Sequence, residues 1–462
     1  MKKTLALLLL LAPLWVCAQS PIGKWNGKLA VSPQMQLRLI IEIQEKNDAY
    51  TTKLISVDQG NAEVPGDKTT VDKDNLTVNF LAIGASYTAI ISGNTLNGTF
   101  TQGGKDFPLI MKRADNNDDT KSNRPQTPVA PYPYNQQDVE FTNRIEGNTL
   151  SGTLTMPKDH VIKTAVVLIS GSGPQNRDEE LFGHKPFLVL ADHLSRNGVA
   201  VLRYDDRGVG KSSKTETEGT TADLAYDAEA AVEYLRNNYD FERIGVIGHS
   251  EGGLIAFMLS GNESYKTPDF VVSIAGPGLR GADVLNGQQE RALTRMGLPS
   301  ATIDQTMALN KSLYAIILES SQNDIELAAK LEEQLKASVP ANVNADAAKK
   351  KISQTIAQVT APWLYYFIKY DPSESISNTK CPVLAINGSL DSQVIASENL
   401  HSIENALEVG GNENFKIVEL EGLNHLFQPA KTGEASEYAE IEITFDEKAL
   451  VTISEWIKSQ SH

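Results

Sequence analysis

One stretch of this 462-residue sequence has the residue types and spacing for nucleophilic chemistry: Ile244-Gly245-Val246-Ile247-Gly248-His249-Ser250-Glu251-Gly252-Gly253-Leu254-Ile255-Ala256. A Gly-x-Ser-x-Gly pattern arises easily by chance, so by itself it says little. Its flanks say more. An apolar run leads in and a small-residue helical segment leads out, the strand–turn–helix that presents a serine on a sharp, strained bend. Bulky neighbours would collide in such a bend, which explains the glycines. The N–H of Glu251 then opens a helix and points to where an attacked carbonyl oxygen would carry negative charge.

A serine hydroxyl needs a base within hydrogen-bond reach and an acid to orient that base. In this arrangement both follow the serine, acid first. Of the later histidines, His462 is terminal and His401 lies in the helical stretch Ala396 to Leu407. His425 follows the apolar run Phe415 to Leu420 in the short loop Glu421-Gly422-Leu423-Asn424, where a base belongs. Asp391, in Asn387-Gly388-Ser389-Leu390-Asp391-Ser392 just past Val383 to Ile386, is the acid. Turns favour Asp for local reasons too, so the order Ser–Asp–His and the preceding strands carry the choice. A second oxyanion donor is expected in Ile169-Ser170-Gly171-Ser172-Gly173-Pro174, with the Ser172 N–H first and the Gly173 N–H next.

Two other patterns imply no cofactor. Arg207-Gly208-Val209-Gly210-Lys211-Ser212 ends like a phosphate-binding loop, but Asp205 stands where its first glycine belongs. Arg203-Tyr204-Asp205-Asp206-Arg207-Gly208 reads instead as a turn tied by charge pairs. Seven scattered histidines and two cysteines offer no paired metal-ligand spacing.

Positioning these groups requires strands alternating with helices. Apolar β-branched runs occur at Ala165 to Ile169, Val199 to Leu202, Ile244 to Ile247, Phe270 to Ile274, Val383 to Ile386 and Phe415 to Leu420. Between them, Phe187, Leu188, Leu190, Ala191 and Leu194, then Leu224, Ala228, Ala231, Val232 and Leu235, recur at helical spacing. Continuous apolar strands alternating with helices predict an α/β fold: a mostly parallel sheet covered on both faces. About residues 279–371 read as helical with no strand, far longer than an ordinary connection, which predicts a lid. Its aromatic run Trp363-Leu364-Tyr365-Tyr366-Phe367 makes Trp363 and Tyr366 the candidate substrate-binding residues.

Upstream, residues 21–113 show short alternating segments such as Gln36 to Ile43, Thr77 to Phe80 and Tyr87 to Ile91. They predict a small all-β barrel or sandwich. Residues 114–135, rich in Asn, Asp, Pro, Ser and Thr, predict a linker, with the second domain running over 136–462. Lys2 and Lys3 precede an apolar run from Leu5 to Val16 ending in Cys17-Ala18, which predicts a secretory signal over 1–18. The expected location is periplasmic or secreted; lipidation at Cys17 is disfavoured by the bulk of Val16. Loss of two lysines takes the net charge from −16 to −18. So acidic a chain is a poor nucleic-acid ligand. No transmembrane segment is expected in the mature chain, and its single remaining thiol, Cys381, excludes an internal disulfide.

The stretch from about Gln136 to the end, some 70% of the chain, resembles the α/β-hydrolase superfamily. It is similar within it to exported bacterial carboxylesterases that stand near the serine aminopeptidase-like hydrolases. The resemblance is carried by Ser170-Gly171-Ser172-Gly173-Pro174, Arg203-Tyr204-Asp205-Asp206-Arg207-Gly208, Gly248-His249-Ser250-Glu251-Gly252-Gly253, Asn387-Gly388-Ser389-Leu390-Asp391 and Leu423-Asn424-His425. It implies nucleophile, acid and base at Ser250, Asp391 and His425, and a small ester as substrate. Ser170-Gly171 departs from the more familiar His-Gly start of the oxyanion loop, which leaves the second donor open. The β-module resembles domains that precede such hydrolases, and its role does not transfer. A peptidase, or an acyltransferase or thioesterase, would use the same triad. A glycan- or lipid-binding protein with a vestigial hydrolase is the non-enzymatic alternative.

Overall fold

The computed structural model describes residues 20–460, apart from 33–34, 47–48, 59–61, 115–122, 159–160, 216–218, 322–324 and 340–343. The expected signal segment, Cys17 and His462 lie outside the described residues. The chain divides into two compact units, residues 1–121 and 122–462.

The first unit is a meander of strands: β1 (Gly23–Ser32), β2 (Met35–Lys46), β3 (Ala49–Ser56), β4 (Ala62–Pro65), β5 (Lys68–Asp72), β6 (Asn75–Phe80), β7 (Ala85–Ser92), β8 (Thr95–Gln102) and β9 (Lys105–Arg113). They form one antiparallel sheet ordered β4-β3-β2-β1-β9-β8-β7-β6-β5. Its two edges, β4 and β5, are joined by only Gly66 and Asp67, so the sheet must roll up on itself. The seam is bridged by Gly66 N–H donating to the Thr52 carbonyl at 2.7 Å and by Thr69 Oγ1 donating to Thr52 Oγ1 at 2.7 Å. Between barrel and sandwich, it is thus a barrel. Alternate residues, among them Trp25, Ile41, Ile43, Leu76, Val78 and Tyr87, fill one interior.

In the second unit β10 (Tyr134–Thr142), β11 (Thr149–Pro157), β12 (Thr164–Ile169), β13 (Ala200–Tyr204), β14 (Arg243–His249), β15 (Val271–Ile274), β16 (Val383–Gly388) and β17 (Phe415–Leu420) form a sheet ordered β10-β11-β13-β12-β14-β15-β16-β17. β10 and β11 pair antiparallel; all pairs from β13 to β17 are parallel. Every residue of β12 is buried, with Val167 and Ile169 facing one core and Val166 and Leu168 the other. The first core is covered by α2 (Thr221–Asn238), α3 (Glu251–Gly261) and α10 (Ala396–Val409), the second by α1 (Pro186–Arg196) and α11 (Glu447–Ser459). α3 is buried on all sides through Ser260, as a central helix with no solvent face must be.

Between β15 and β16 the lid holds α4 (Gly281–Arg295), α5 (Ser300–Glu319), α6 (Leu327–Ser338), α7 (Ala345–Val359) and α8 (Pro362–Lys369). They pack on a small core of their own around Leu313, Ile317, Leu331 and Ile368. α9 (Ser373–Asn378) returns the chain to the sheet, with Ile376 in its core. Of the stretch expected as a linker, residues 115–122 lie outside the described residues, and the part after them is held to the second unit. Arg124 donates to the carbonyls of Phe182, Ala439 and Ile441, and Gln126 exchanges hydrogen bonds with the Thr444–Phe445 backbone, so these residues belong to the second unit. Partners three hundred residues away leave no local trace in composition.

Candidate active site

Ser250 stands between the end of β14 and the start of α3 with φ 53° and ψ −120°. A non-glycine residue held there stores about 1–3 kcal/mol of strain. Surrounding packing enforces it. The Ser250 N–H donates to the Ile274 carbonyl at 2.9 Å. A Cβ on Gly248 would lie 1.9 Å from the Gly252 carbonyl oxygen, and one on Gly252 2.1 Å from that of Ile169. Serine is thereby pushed out at the carboxyl ends of the parallel strands.

Asp391 lies in the loop after β16, fully buried. Its Oδ1 accepts the N–H groups of Gln393 and Val394 at 2.8 and 2.9 Å. That leaves Oδ2 for His425 Nδ1, 2.8 Å away. A carboxylate opposite Nδ1 fixes the proton there, so Nε2 of the neutral ring is the basic nitrogen. The His425 loop is shaped by Asn424, whose Oδ1 accepts from Leu426 and Gln428 and whose Nδ2 donates to Gln428 Oε1.

Ser250 and His425 face a cavity of about 290 Å³ whose walls also include Ser172, Glu251, Trp363 and Phe367. Among the described residues the N–H groups of Glu251 and Ser172 have no hydrogen-bond acceptor, whereas that of Gly171 donates to Glu179 Oε1 at 2.8 Å. Gly173 adopts φ 88° and lines a neighbouring cavity of about 780 Å³ instead. Of the two, only Ser172 lines the cavity that Ser250 faces.

Residues 164–408 match the family model described as the alpha/beta hydrolase fold. The chain belongs to this family. It is 28% identical over 298 residues to Esterase EstD of Thermotoga maritima, covering 64% of this chain and 61% of that one. The chain thus spans about three fifths of that relative's length. It is also similar to solved structures of the Pyrococcus furiosus esterase Pf2001 (20% identity, 71% of this chain and 93% of that one, TM-score 0.41). A Mycobacterium smegmatis proline iminopeptidase gives 14% identity, 70% of this chain and 98% of that one, and a TM-score of 0.42.

In this α/β-hydrolase unit the lid reaches the residue after Ser250 through Trp363, which also lines the cavity. Its indole Nε1 donates to both carboxylate oxygens of Glu251, at 2.9 and 3.1 Å, and Thr221 Oγ1 donates to the same carboxylate at 2.6 Å. Thr221 is placed by a capping box of Thr220 and Asp223 that starts α2. Tyr366 is absent from that cavity wall, stacks on Tyr370 at 5.7 Å and packs against the sheet core. Phe367, four residues after Trp363 and stacked on it at 5.5 Å, lines the cavity beside it. On the helix 367 lies about 40° to one side of 363 and 366 about 60° to the other, so the cavity wall falls on the 367 side and the sheet core on the 366 side.

The charged run after β13 braces the Ser170–Pro174 loop. Arg177 holds Asp205 at 2.6 Å, Arg203 pairs with Asp178, and Arg207 bonds Asp227 and Glu146, both at 2.7 Å. Asp206 accepts from Ser170 Oγ at 2.7 Å and from the Gln175 N–H at 2.8 Å, clamping both ends of Ser170–Pro174. Burial pushes its carboxyl up to about 8. His401 is exposed on α10 and bonded to Asn405, away from the cavity. Cys381 is half-buried, and burial pushes its thiol up to about 12.

Sequence reasoning missed Glu179 and left His249 without a role. Glu179, 6% exposed, contributes a carboxylate to the cavity wall from a loop that has no periodicity.

Proposed function

We propose that the chain hydrolyses carboxylic esters through an acyl-enzyme on Ser250. The observation that carries this reading is the convergence of the strained Ser250 and the Asp391–His425 pair on one cavity. Ser250 Oγ attacks the ester carbonyl carbon while its proton passes to His425 Nε2. The oxyanion is received by the N–H groups of Glu251 and Ser172, each worth about 3–4 kcal/mol in comparable sites. Collapse expels the alcohol, which takes the proton from His425. Water then attacks the acyl-enzyme by the same route in reverse, and Asp391 stabilises the imidazolium in both halves.

The esterase named among the relatives supports an ester over a peptide. So does the charge around the cavity. The carboxylates in its wall, Glu179 and Glu251, are engaged by Gly171 and His249 and by Thr221 and Trp363. Neither is free to capture a peptide's α-ammonium group.

A p-nitrophenyl ester and the p-nitroanilide of the same acyl group, given to wild type and Ser250→Ala, test this. Ester cleavage alone, reduced by several orders of magnitude in the variant, is the expected result. Comparable anilide cleavage would move the assignment to a peptidase, and a variant within tenfold of wild type would overturn the mechanism. On the basic–apolar start of the sequence we also propose export. Amino-terminal sequencing of protein from the cell envelope or medium should then begin at Gln19.

A further inference from the structure

His249, immediately before the nucleophile, is 6% exposed and has both ring nitrogens engaged. Its Nε2 lies 3.0 Å from the backbone carbonyl of His425, a group that can only accept, so Nε2 carries a proton. Its Nδ1 lies 2.8 Å from Glu179 Oε1, the oxygen that already accepts the Gly171 N–H at 2.8 Å. An oxygen that already accepts the Gly171 N–H fits an ionised carboxylate, with Nδ1 as its second donor. Burial alone would lower the pKa of this ring; the Glu179 carboxylate, with the bonds around it, raises it above the ordinary histidine value. The other titratable groups around the pair are Asp391 and His425 from the loops after β16 and β17 and Asp206 after β13.

The chain invests in holding Glu179 there. Its backbone sits at φ 51°, in the left-handed region, and the turn is fixed by its N–H to the Asn176 carbonyl and by Arg177 on Asp205. No packing need explains a buried carboxylate aimed at a histidine beside the nucleophile.

We propose that Glu179 and His249 form a buried carboxylate–imidazolium pair that positions both loops of the reaction. Through Gly171 the pair sets the peptide unit whose next N–H, that of Ser172, faces the oxyanion. Through the His425 carbonyl it sets the loop that aims the catalytic ring. Both are positioning residues, and the inference rests on the ester-hydrolase reading for its kinetic part.

The test has two arms. In protein labelled with [15N]histidine, with the His249 signals assigned by their loss in His249→Gln, the wild-type ring should show both nitrogens protonated at pH 7. In Glu179→Gln it should be neutral. That variant should lose kcat by about 10- to 100-fold with KM within threefold, because misplacement of pre-oriented groups is read in the chemical step. A neutral His249 in folded wild type at pH 7 overturns the pair, and this arm stands even if the variant does not fold. Folded Glu179→Gln with kcat within threefold of wild type overturns the positioning role. Failure of the function reading shows separately, as ester cleavage that survives Ser250→Ala.

Discussion

The Trp363 indole N–H reaches from the lid to the Glu251 carboxylate at 2.9 Å, so the cavity roof is fastened to the residue whose N–H is proposed to receive the oxyanion. Trp363→Phe keeps a ring in the wall and removes the donor, leaving a buried carboxylate with Thr221 alone. Loss of a hydrogen bond to a buried charge costs about 1.5–3 kcal/mol. The expected outcome is a fall of that size in unfolding free energy by urea titration. In steady-state ester hydrolysis KM should rise more than kcat falls, since the roof loosens before the elbow does.

Asp391→Asn should separate geometry from charge. Asn Oδ1 can still accept from Gln393 and Val394, so the loop should keep its shape. Its Nδ2 would face His425 Nδ1 as a donor and force the ring into the tautomer whose Nε2 cannot take the serine proton. A loss in kcat on the order of 10³- to 10⁴-fold at pH 7 is expected, with thermal stability close to wild type. Equal kcat would remove Asp391 from the mechanism.

Gly248→Ala tests the elbow itself. The added Cβ would meet a backbone carbonyl oxygen at 1.9 Å, a contact that no side-chain rotation relieves. Destabilisation beyond about 4 kcal/mol is expected. Gly422→Ala, with open space around its Cβ position but φ 78°, should cost only about 1–2 kcal/mol. Chemical denaturation of the pair gives the contrast.

How much of this was readable in advance follows from the range of the interactions. Ser250, Asp391 and His425 each stand a few residues beyond an apolar run, and a parallel sheet brings the ends of such runs together, so spacing along the chain implied proximity in space. Glu179 has no such rule: its loop adopts left-handed backbone at Glu179 and Phe182, held by contacts from Asn176, Asp205 and Arg124. Barrel closure was hidden likewise, because alternation fixes which face is buried but not whether β4 and β5 approach each other. Tyr366 and Phe367 are equally aromatic, and only the rotation of α8 decides which one meets the cavity.

Asp206 supplies a pH signature. Its carboxyl has an ordinary value of 3.8 and is pushed up to about 8 in the folded protein, first by burial and further by Glu179 and Asp227. Between those values the folded protein holds a proton that the unfolded chain has released. This contribution to stability is fully present below about pH 4 and is lost as pH rises through about 8. Asp206→Asn removes the titration yet keeps both contacts: its Oδ1 accepts the Gln175 N–H, and its Nδ2 donates to Ser170 Oγ once that hydroxyl turns. Scanning calorimetry should therefore find the variant gaining Tm relative to wild type as pH goes from 5 to 9. An unchanged difference in Tm across that range would mean that Asp206 is ionised in the native protein throughout.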